Sequence, residues 1–420
     1  MKEFNLEHAS SYFGSKLARA FTISIFLVTL LNFFYYYYGY DYRIYQLLWI
    51  FVTLTMIYCT YKLSNDFVFE SHYFNILIHI FFLYELIIIF RGFLNNVNFS
   101  GDALWLLFCQ PHIIWPLVIP LFIYFTKDIF IYQSIFNWIY LFGLIFLVLC
   151  ILFPEILVNR TPAQLVITPL TSCLGYILLY SSYLNNKKVD ISFLILMIGI
   201  LSLTFLARRS GIVSLMTSLI AAYIINRKSE NKAIVFRFLP LIIGVIVILF
   251  IYSPSIYSSL TGRLEQRLTE NSRTYVFEMF RQGIKEDVFF GKGMYGTYFC
   301  PISGEIEEEG VTFAELDQRE VIENGYLQLI LSGGIVHLIL FCFILYPAAY
   351  LGICKSSNRF SRASGSVILL WLIDMFLFGL PQLTMNYIFV WICVGICYKK
   401  SLRDKTDDEI RAEFQNSESI

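Results

Sequence analysis

Two arginines stand side by side in an otherwise apolar stretch, "LSLTFLARRSGIVSLMTS", Leu201 to Ser218. A guanidinium stays charged in proteins and presents a planar fork of N–H donors that matches phosphate oxygens. Arg208 and Arg209, joined by Arg273 at the start of a later amphipathic stretch, would suit a diphosphate. The competing reading of the pair is interfacial, because long basic side chains at a helix end snorkel to lipid phosphates. Glu85, Gln110, His112 and Asp374 also lie in or near apolar runs. A charge inside a bilayer costs a few kcal/mol on insertion scales, so each one needs a reason, either function or pairing that fixes helix packing. For the carboxylates, the packing reading has Glu85, Arg91 and Asp374 pair to fix the helices.

The elements that must position these groups are helices in a membrane. The chain is 57% hydrophobic and 15% charged, with mean hydropathy +0.65. A soluble domain carries about a quarter charged residues, so this chain has too few to cover a water-facing surface. Apolar windows of about 20 residues predict an all-α, polytopic membrane protein of about 12 spans. They fall near 20–38, 45–63, 73–90, 104–125, 135–153, 165–183, 190–206, 211–226, 234–253, 325–347, 366–381 and 384–398. The resulting organisation is a cytoplasmic segment at 1–19, helices over 20–253, an external loop at 254–322, helices over 323–398 and a cytoplasmic tail at 399–420. The first span has no small-residue cleavage site and reads as an anchor. The polar tail after Lys399 reads as disordered.

Sidedness follows from the basic residues. Lys2, Lys16, Arg19, Lys187, Lys188, Arg227, Lys228, Lys232, Lys355, Arg359, Arg362 and the tail fall on one side of an alternating chain. That side is predicted to be cytoplasmic, with both termini in the cytoplasm. Opposite loops carry mostly single basic residues, Arg43, Arg91 and Arg160. Arg208 and Arg209 then face outward, against the charge rule.

The long loop opens with "NSRTYVFEMFRQGIKED", residues 271–287, which predicts an amphipathic helix with Val276, Met279, Phe280 and Ile284 on one face. The following GKGMYG matches GxGxxG, but no strand precedes it and no βαβ unit surrounds it, which excludes a dinucleotide site. Its glycines are expected to make tight turns. Glu305, Glu307, Glu308, Glu309, Glu315, Asp317 and Glu320 form an acidic run that reads as solvated surface. Most of the nine cysteines sit in apolar runs, where a thiol behaves as a small hydrophobe, and no disulfide framework is expected. The five histidines show no metal-ligand spacing, so neither metal nor cofactor is expected. A net charge of zero gives no indication of nucleic acid.

The order of motifs carries more than any one of them. "ARRSGIVSL" opens a span, "NSRTYVFEMFRQGIKEDVFFGKGMYGTYF" lies in the long loop, and "VIENGYLQLILSGGIVHLILFCFILY" leads into the next span. Over about residues 200–350 this series resembles the O-antigen polymerase and O-antigen ligase superfamily of bacterial envelope polysaccharide synthesis. The resemblance implies glycosyl transfer on the outer face of the membrane, from a glycan on undecaprenyl diphosphate. The acceptor would be a sugar hydroxyl of a second lipid-linked repeat unit for a polymerase, or the lipid A core for a ligase. By position, Arg209 and Arg273 would hold the diphosphate, with Arg208 beside them; Arg91, Asn324 and Tyr326 are further candidate substrate contacts of this chain. Glu323 stands where ligases show a histidine before Asn, a departure that points toward a polymerase. As a residue, Glu323 is a candidate general base, and equally a cap or an ion-pair partner of Arg319. Tyr326 and Gln328 would face an acceptor sugar or simply start a helix. Fixed cations stabilise a departing diphosphate without a metal. The partners implied are the lipid-linked oligosaccharide, membrane lipids, a chain-length regulator and a flippase. A ligase or protein O-oligosaccharyltransferase is the nearest alternative. A lipid-linked oligosaccharide transporter is the alternative from another class, although the chain shows no repeated halves.

Overall fold

The computed structural model describes residues 70–96, 110, 112–127, 129–153, 173–205, 209–226, 272–300, 318–377 and 379–418, with a few isolated positions between 23 and 58. The spans expected at 20–38 and 234–253 lie almost wholly outside them. Among the described residues three helices are long and apolar enough to cross a membrane, at His72–Leu94, Ile135–Leu152 and Gly325–Cys354. Each matches a predicted span.

Helix α1 runs His72–Asn96. Its outer surface carries Ile76, Ile80, Leu83, Leu86, Ile87, Phe90 and Leu94, all exposed. Its opposite face buries Phe74, Ile78, Phe81 and Ile88. Such an exposed apolar stripe is what lipid requires of a spanning helix. Among its described residues, the next predicted span, 104–125, is α-helical at Trp115–Val118 (α2), which passes into a 3-10 stretch at Ile119–Lys127. Pro116 and Pro120 each remove an N–H that an α-helix would use there. Helix α3 covers Ile129–Leu152, and the short α4 covers Leu174–Leu179. Helices α5, Asn186–Phe205, and α6, Arg209–Asn226, follow the predicted seventh and eighth spans within a few residues.

After α6 come α7 at Ser272–Gly283, strand β1 at Tyr298–Phe299 and strand β2 at Gln318–Arg319. The strands pair antiparallel, Tyr298 opposite Arg319 and Phe299 opposite Gln318. This ribbon departs from the all-helical expectation. Two residues per strand leave no alternation for a sequence to display. The predicted apolar face of α7 is the one that packs: Phe280 and Ile284 are buried with Tyr298, Cys300, Ile322 and Leu331, while Val276 and Met279 lean on the same cluster.

Helices α8, Gly325–Cys354, and α9, Arg359–Leu377, lie side by side, and the Gly352 and Gly365 backbones approach so closely that a Cβ on Gly352 would stand 2.7 Å from the Gly365 Cα. Small residues at such a contact let two membrane helices pack backbone to backbone. Helix α10, Met385–Tyr398, is buried nearly all round, from Tyr387 through Tyr398. A helix that is apolar on every side belongs in the centre, and α10 packs there against α8, α9 and the 3-10 stretch.

The tail is not disordered. Lys400–Arg403 (α11) and Asp407–Glu418 (α12) are helical, and Leu402, Ile410 and Phe414 are buried. Two signals beneath the polar composition account for it. Ile410 and Phe414 fall four residues apart on one helix face. Thr406 and Glu409 form a capping box: the Glu409 N–H donates to Thr406 Oγ1 at 3.3 Å and the Thr406 N–H donates to Glu409 Oε2 at 2.6 Å.

Candidate functional site

The centre of the site is a break in α8. Gly334 has φ +71, and its N–H and C=O leave the helical path. Residues 288–293 run alongside and take up the freed backbone groups. The Ile335 N–H donates to the Val288 carbonyl at 2.9 Å and the Val336 N–H to Phe289 at 3.3 Å. In return the Lys292 N–H donates to the Leu331 carbonyl and the Gly293 N–H to Ser332, both at 2.8 Å. Broken backbone near membrane depth is tolerated only where protein re-satisfies it, and this segment does so. The "GKG" glycines are required here. Gly291 (φ +68) and Gly293 (φ +88) are left-handed, and a Cβ on Gly291 would stand 2.5 Å from the Gly333 and Gly334 nitrogens. A Cβ on Gly334 would stand 2.2 Å from the Phe289 oxygen.

Polar side chains gather around this break. Tyr84 donates to the Gly333 carbonyl at 2.6 Å. His337 Nε2 lies 3.0 Å from Glu85 Oε1, both side chains under 5% exposed. The second oxygen, Glu85 Oε2, is buried with no hydrogen-bond partner among the described residues. His337 Nδ1 is 3.4 Å from Ser332 Oγ. Glu85 therefore pairs with neither Arg91 nor Asp374. Arg91 instead donates to Asp287 Oδ1 at 2.8 Å, tying the end of α1 to the turn after α7. Close by, a Cβ on Gly92 would meet Met294 at 2.5 Å.

Beside the break lies a small cleft whose mostly apolar wall, with Leu117, Met294 and Leu331, also carries His112, Gln328 and Ser332. His112 Nε2 is 3.0 Å from Glu320 Oε2. Gln328 pins the chain that carries Glu320: its Nε2 donates to the Glu320 carbonyl at 3.1 Å and its Oε1 accepts from the Ile322 N–H at 2.9 Å. The amide of Gln328 is thus committed to backbone at both ends. Burial pushes the Tyr295 hydroxyl up to about 12, helped by the Glu320 charge, and burial likewise pushes Tyr298 up to about 12. Both remain protonated near neutral pH, and Tyr298 donates to the Val321 carbonyl at 3.3 Å.

The residues predicted from sequence divide into two groups. Asn324 caps α8, its Oδ1 accepting from the Leu327 N–H at 3.1 Å, and its Nδ2 donates to Phe376 at 3.4 Å. Tyr326 donates to the Leu372 carbonyl at 2.7 Å and packs on Phe376. Glu323 is exposed one residue before the cap. Arg209 opens α6 and Arg273 lies in the first turn of α7, but their side chains, like all of Arg208, lie outside the described residues. Helix α6 has 18 residues and therefore rises roughly 27 Å from Arg209 to Asn226. Asn226 donates to the carbonyls of Leu178 and Leu179 at the far end of the bundle from Arg91 and Asp287.

Sequence reasoning missed the partners. His112 with Glu320, Arg91 with Asp287 and Glu85 with His337 are each separated by about two hundred residues or more. The available signal was half of each pair: Glu85 and His112 stand out as polar residues in apolar stretches.

These features define a helical membrane protein with a small, largely apolar cleft that carries His112, Gln328 and Ser332 beside a broken helix, held by a glycine-rich segment. Residues 191–342 match the family model described as O-antigen ligase, which places this region in the O-antigen ligase and polymerase superfamily of membrane glycosyltransferase-like enzymes. The match contains Arg209, Arg273, the interlocked loop and the first half of α8. Comparison with curated proteins gave no match.

Proposed function

We propose that this protein is a polysaccharide repeat-unit polymerase of the O-antigen, capsule or exopolysaccharide type. It transfers a growing glycan from undecaprenyl diphosphate to a sugar hydroxyl of a lipid-linked repeat unit on the outer face of the cytoplasmic membrane. The observation that carries the reading is the family match over residues 191–342, whose boundaries enclose both Arg209 and Arg273 and the loop seated on the α8 break. Arg209 and Arg273 grip the diphosphate, with Arg208 adding positive charge, while Arg91 is already countered by Asp287. Fixed cations stabilise the leaving anion as the C1–O bond breaks. Glu323, at the outer lip of α8, is the base that the sequence offers for the attacking hydroxyl. Its place where ligases show histidine favours polymerase over ligase.

Strains carrying Arg209→Ala or Arg273→Ala are expected to make single-unit products, and full-length polysaccharide from both would overturn the assignment. A cysteine introduced at Ser210 should react with an impermeant thiol reagent in intact cells. Labelling confined to broken cells would put the arginines on the wrong side.

The description of the matched family favours a second reading, ligation to a final acceptor. Glycan length in a deletion strain separates the two. A polymerase loss leaves single units, whereas a ligase loss leaves chains of normal length on the carrier.

A further inference from the structure

The transfer needs a group to take the acceptor's proton, and the cleft contains a better placed one than Glu323. Resting on the function proposed above, we propose that His112, oriented by Glu320, is the base that deprotonates the acceptor hydroxyl. His112 lines the cleft, and Glu323 does not. Among the other polar groups lining it, Gln328 is bonded to backbone through both amide atoms and the Ser332 hydroxyl donates back to the Leu329 carbonyl at 3.1 Å.

The geometry suits the task. Glu320 Oε2 stands 3.0 Å from His112 Nε2 and accepts its N–H, which leaves the Nδ1 lone pair to take a proton. His112 Nδ1 has no hydrogen-bond partner among the described residues. Both partners are fixed from behind. Glu320 follows β2 and is held through its carbonyl by Gln328. His112 sits in the turn that leads into buried Trp115, where the Ile113 N–H donates to Gln110. The carboxylate also stabilises the imidazolium once the proton has moved, as in any carboxylate–imidazole pair.

The step balances without a further reactant. The acceptor oxygen forms a bond to C1 of the donor glycan as the C1–O bond to the diphosphate breaks. The bonding electron pair leaves with undecaprenyl diphosphate. The hydroxyl proton passes to His112 Nδ1 and then to solvent.

A cross-brace between two loops would show the same 3.0 Å contact, and one substitution separates the two roles. His112→Gln keeps an N–H that can reach Glu320 but has no basic nitrogen. The assay uses the full-length protein in liposomes, with undecaprenyl-diphosphate-linked single repeat units extracted from a deletion strain. H112Q is expected to lose at least about 100-fold in kcat, the range of general-base effects, with its KM and thermal midpoint held near wild type. Added imidazole should restore part of the activity of H112A. Turnover by H112Q within about threefold of wild type would overturn the proposal, because a brace would suffice. A loss of turnover with a lowered thermal midpoint would also overturn it. A wild-type protein that leaves the units unlengthened refutes the polymerase reading itself, and the base assignment falls with it.

Discussion

The two ends of the helix bundle use polar side chains in opposite ways. At one end, Asn358 is fully buried and donates to the carbonyls of Leu402 and Lys405, both at 2.8 Å, while its Oδ1 accepts from the Ser361 N–H at 2.8 Å. Asp407 accepts from Tyr183 and from the Arg359 N–H, and Asn226 accepts from Ser182 while donating to three carbonyls. Most of these bonds join a side chain to backbone or close a helix terminus, which fixes structure. At the other end, polar groups meet as long-range pairs, His112 with Glu320 and Arg91 with Asp287, and the first of these borders a cleft. Helix α1 shows the contrast within one element: Glu70 just before it accepts from the Ser401 N–H, while Arg91 near its other end meets Asp287. With 25 residues it rises roughly 37 Å between the two ends. One end ties helix termini to one another, and the other ties the loop after α7 and the β2 segment to the bundle through side-chain pairs.

This contrast is open to test at several positions. The largest effect is expected at the cleft end from Arg209→Ala and Arg273→Ala. Each should lower transfer by about 100-fold or more, the loss typical of removing one group that stabilises a developing anion. Both should leave thermal unfolding in detergent near wild type, and a matching loss of stability would blur the distinction between the ends.

Gly334→Ala comes next. It places a side chain at φ +71 and 2.2 Å from the Phe289 oxygen, so the 288–293 segment must leave the break. The local cost is about 3 kcal/mol, and transfer should be lost. Hydrogen exchange should rise at Lys292, Gly293, Ile335 and Val336 while the amides near Asn358 stay protected. Uniform loosening would show that the ends are not independent.

Asn358→Ala tests the locking end. It strands the buried carbonyls of Leu402 and Lys405 and should cost about 2–3 kcal/mol, read as a lower thermal midpoint, with turnover per folded molecule unchanged. A fall in turnover at full folding would join the two ends functionally.

The smallest effect is at Glu409. Hydrogen bonds from the Thr406 N–H and hydroxyl hold its carboxyl below the ordinary 4.5. A lowered folded value means that the capping contribution is complete above the ordinary value and is lost as pH falls through the lowered one. The small difference in midpoint between wild type and Glu409→Gln should therefore shrink on going from about pH 6 to about pH 3. A difference that grows instead would contradict the cap.

How much of this was legible in the sequence varies with the range of the interaction involved. The apolar windows located α1, α3, α5, α6 and α8 to α10 with ends off by as many as seven residues, because a spanning helix satisfies its backbone internally and shows its solvent in its composition. The face of α7 was legible for the same reason, since Val276, Met279, Phe280 and Ile284 recur at helical spacing. The tail was misread from its charge, although Thr406 and Glu409 spelled a capping box. The β1–β2 ribbon was too short to leave a pattern. Of the site, Glu85, Gln110 and His112 were visible as polar residues out of place, but not what each would meet.

Local chemistry along the chain was enough to establish a membrane protein of helices, with a motif order shared with O-antigen ligases and polymerases, because hydropathy and spacing act over one or two turns. Only the tertiary structure decided that the GKG glycines seat against a broken α8, that Glu85 faces His337 and that His112 faces Glu320. Those pairings join residues some two hundred positions apart, and no local periodicity records which distant groups packing will bring within 3 Å of each other.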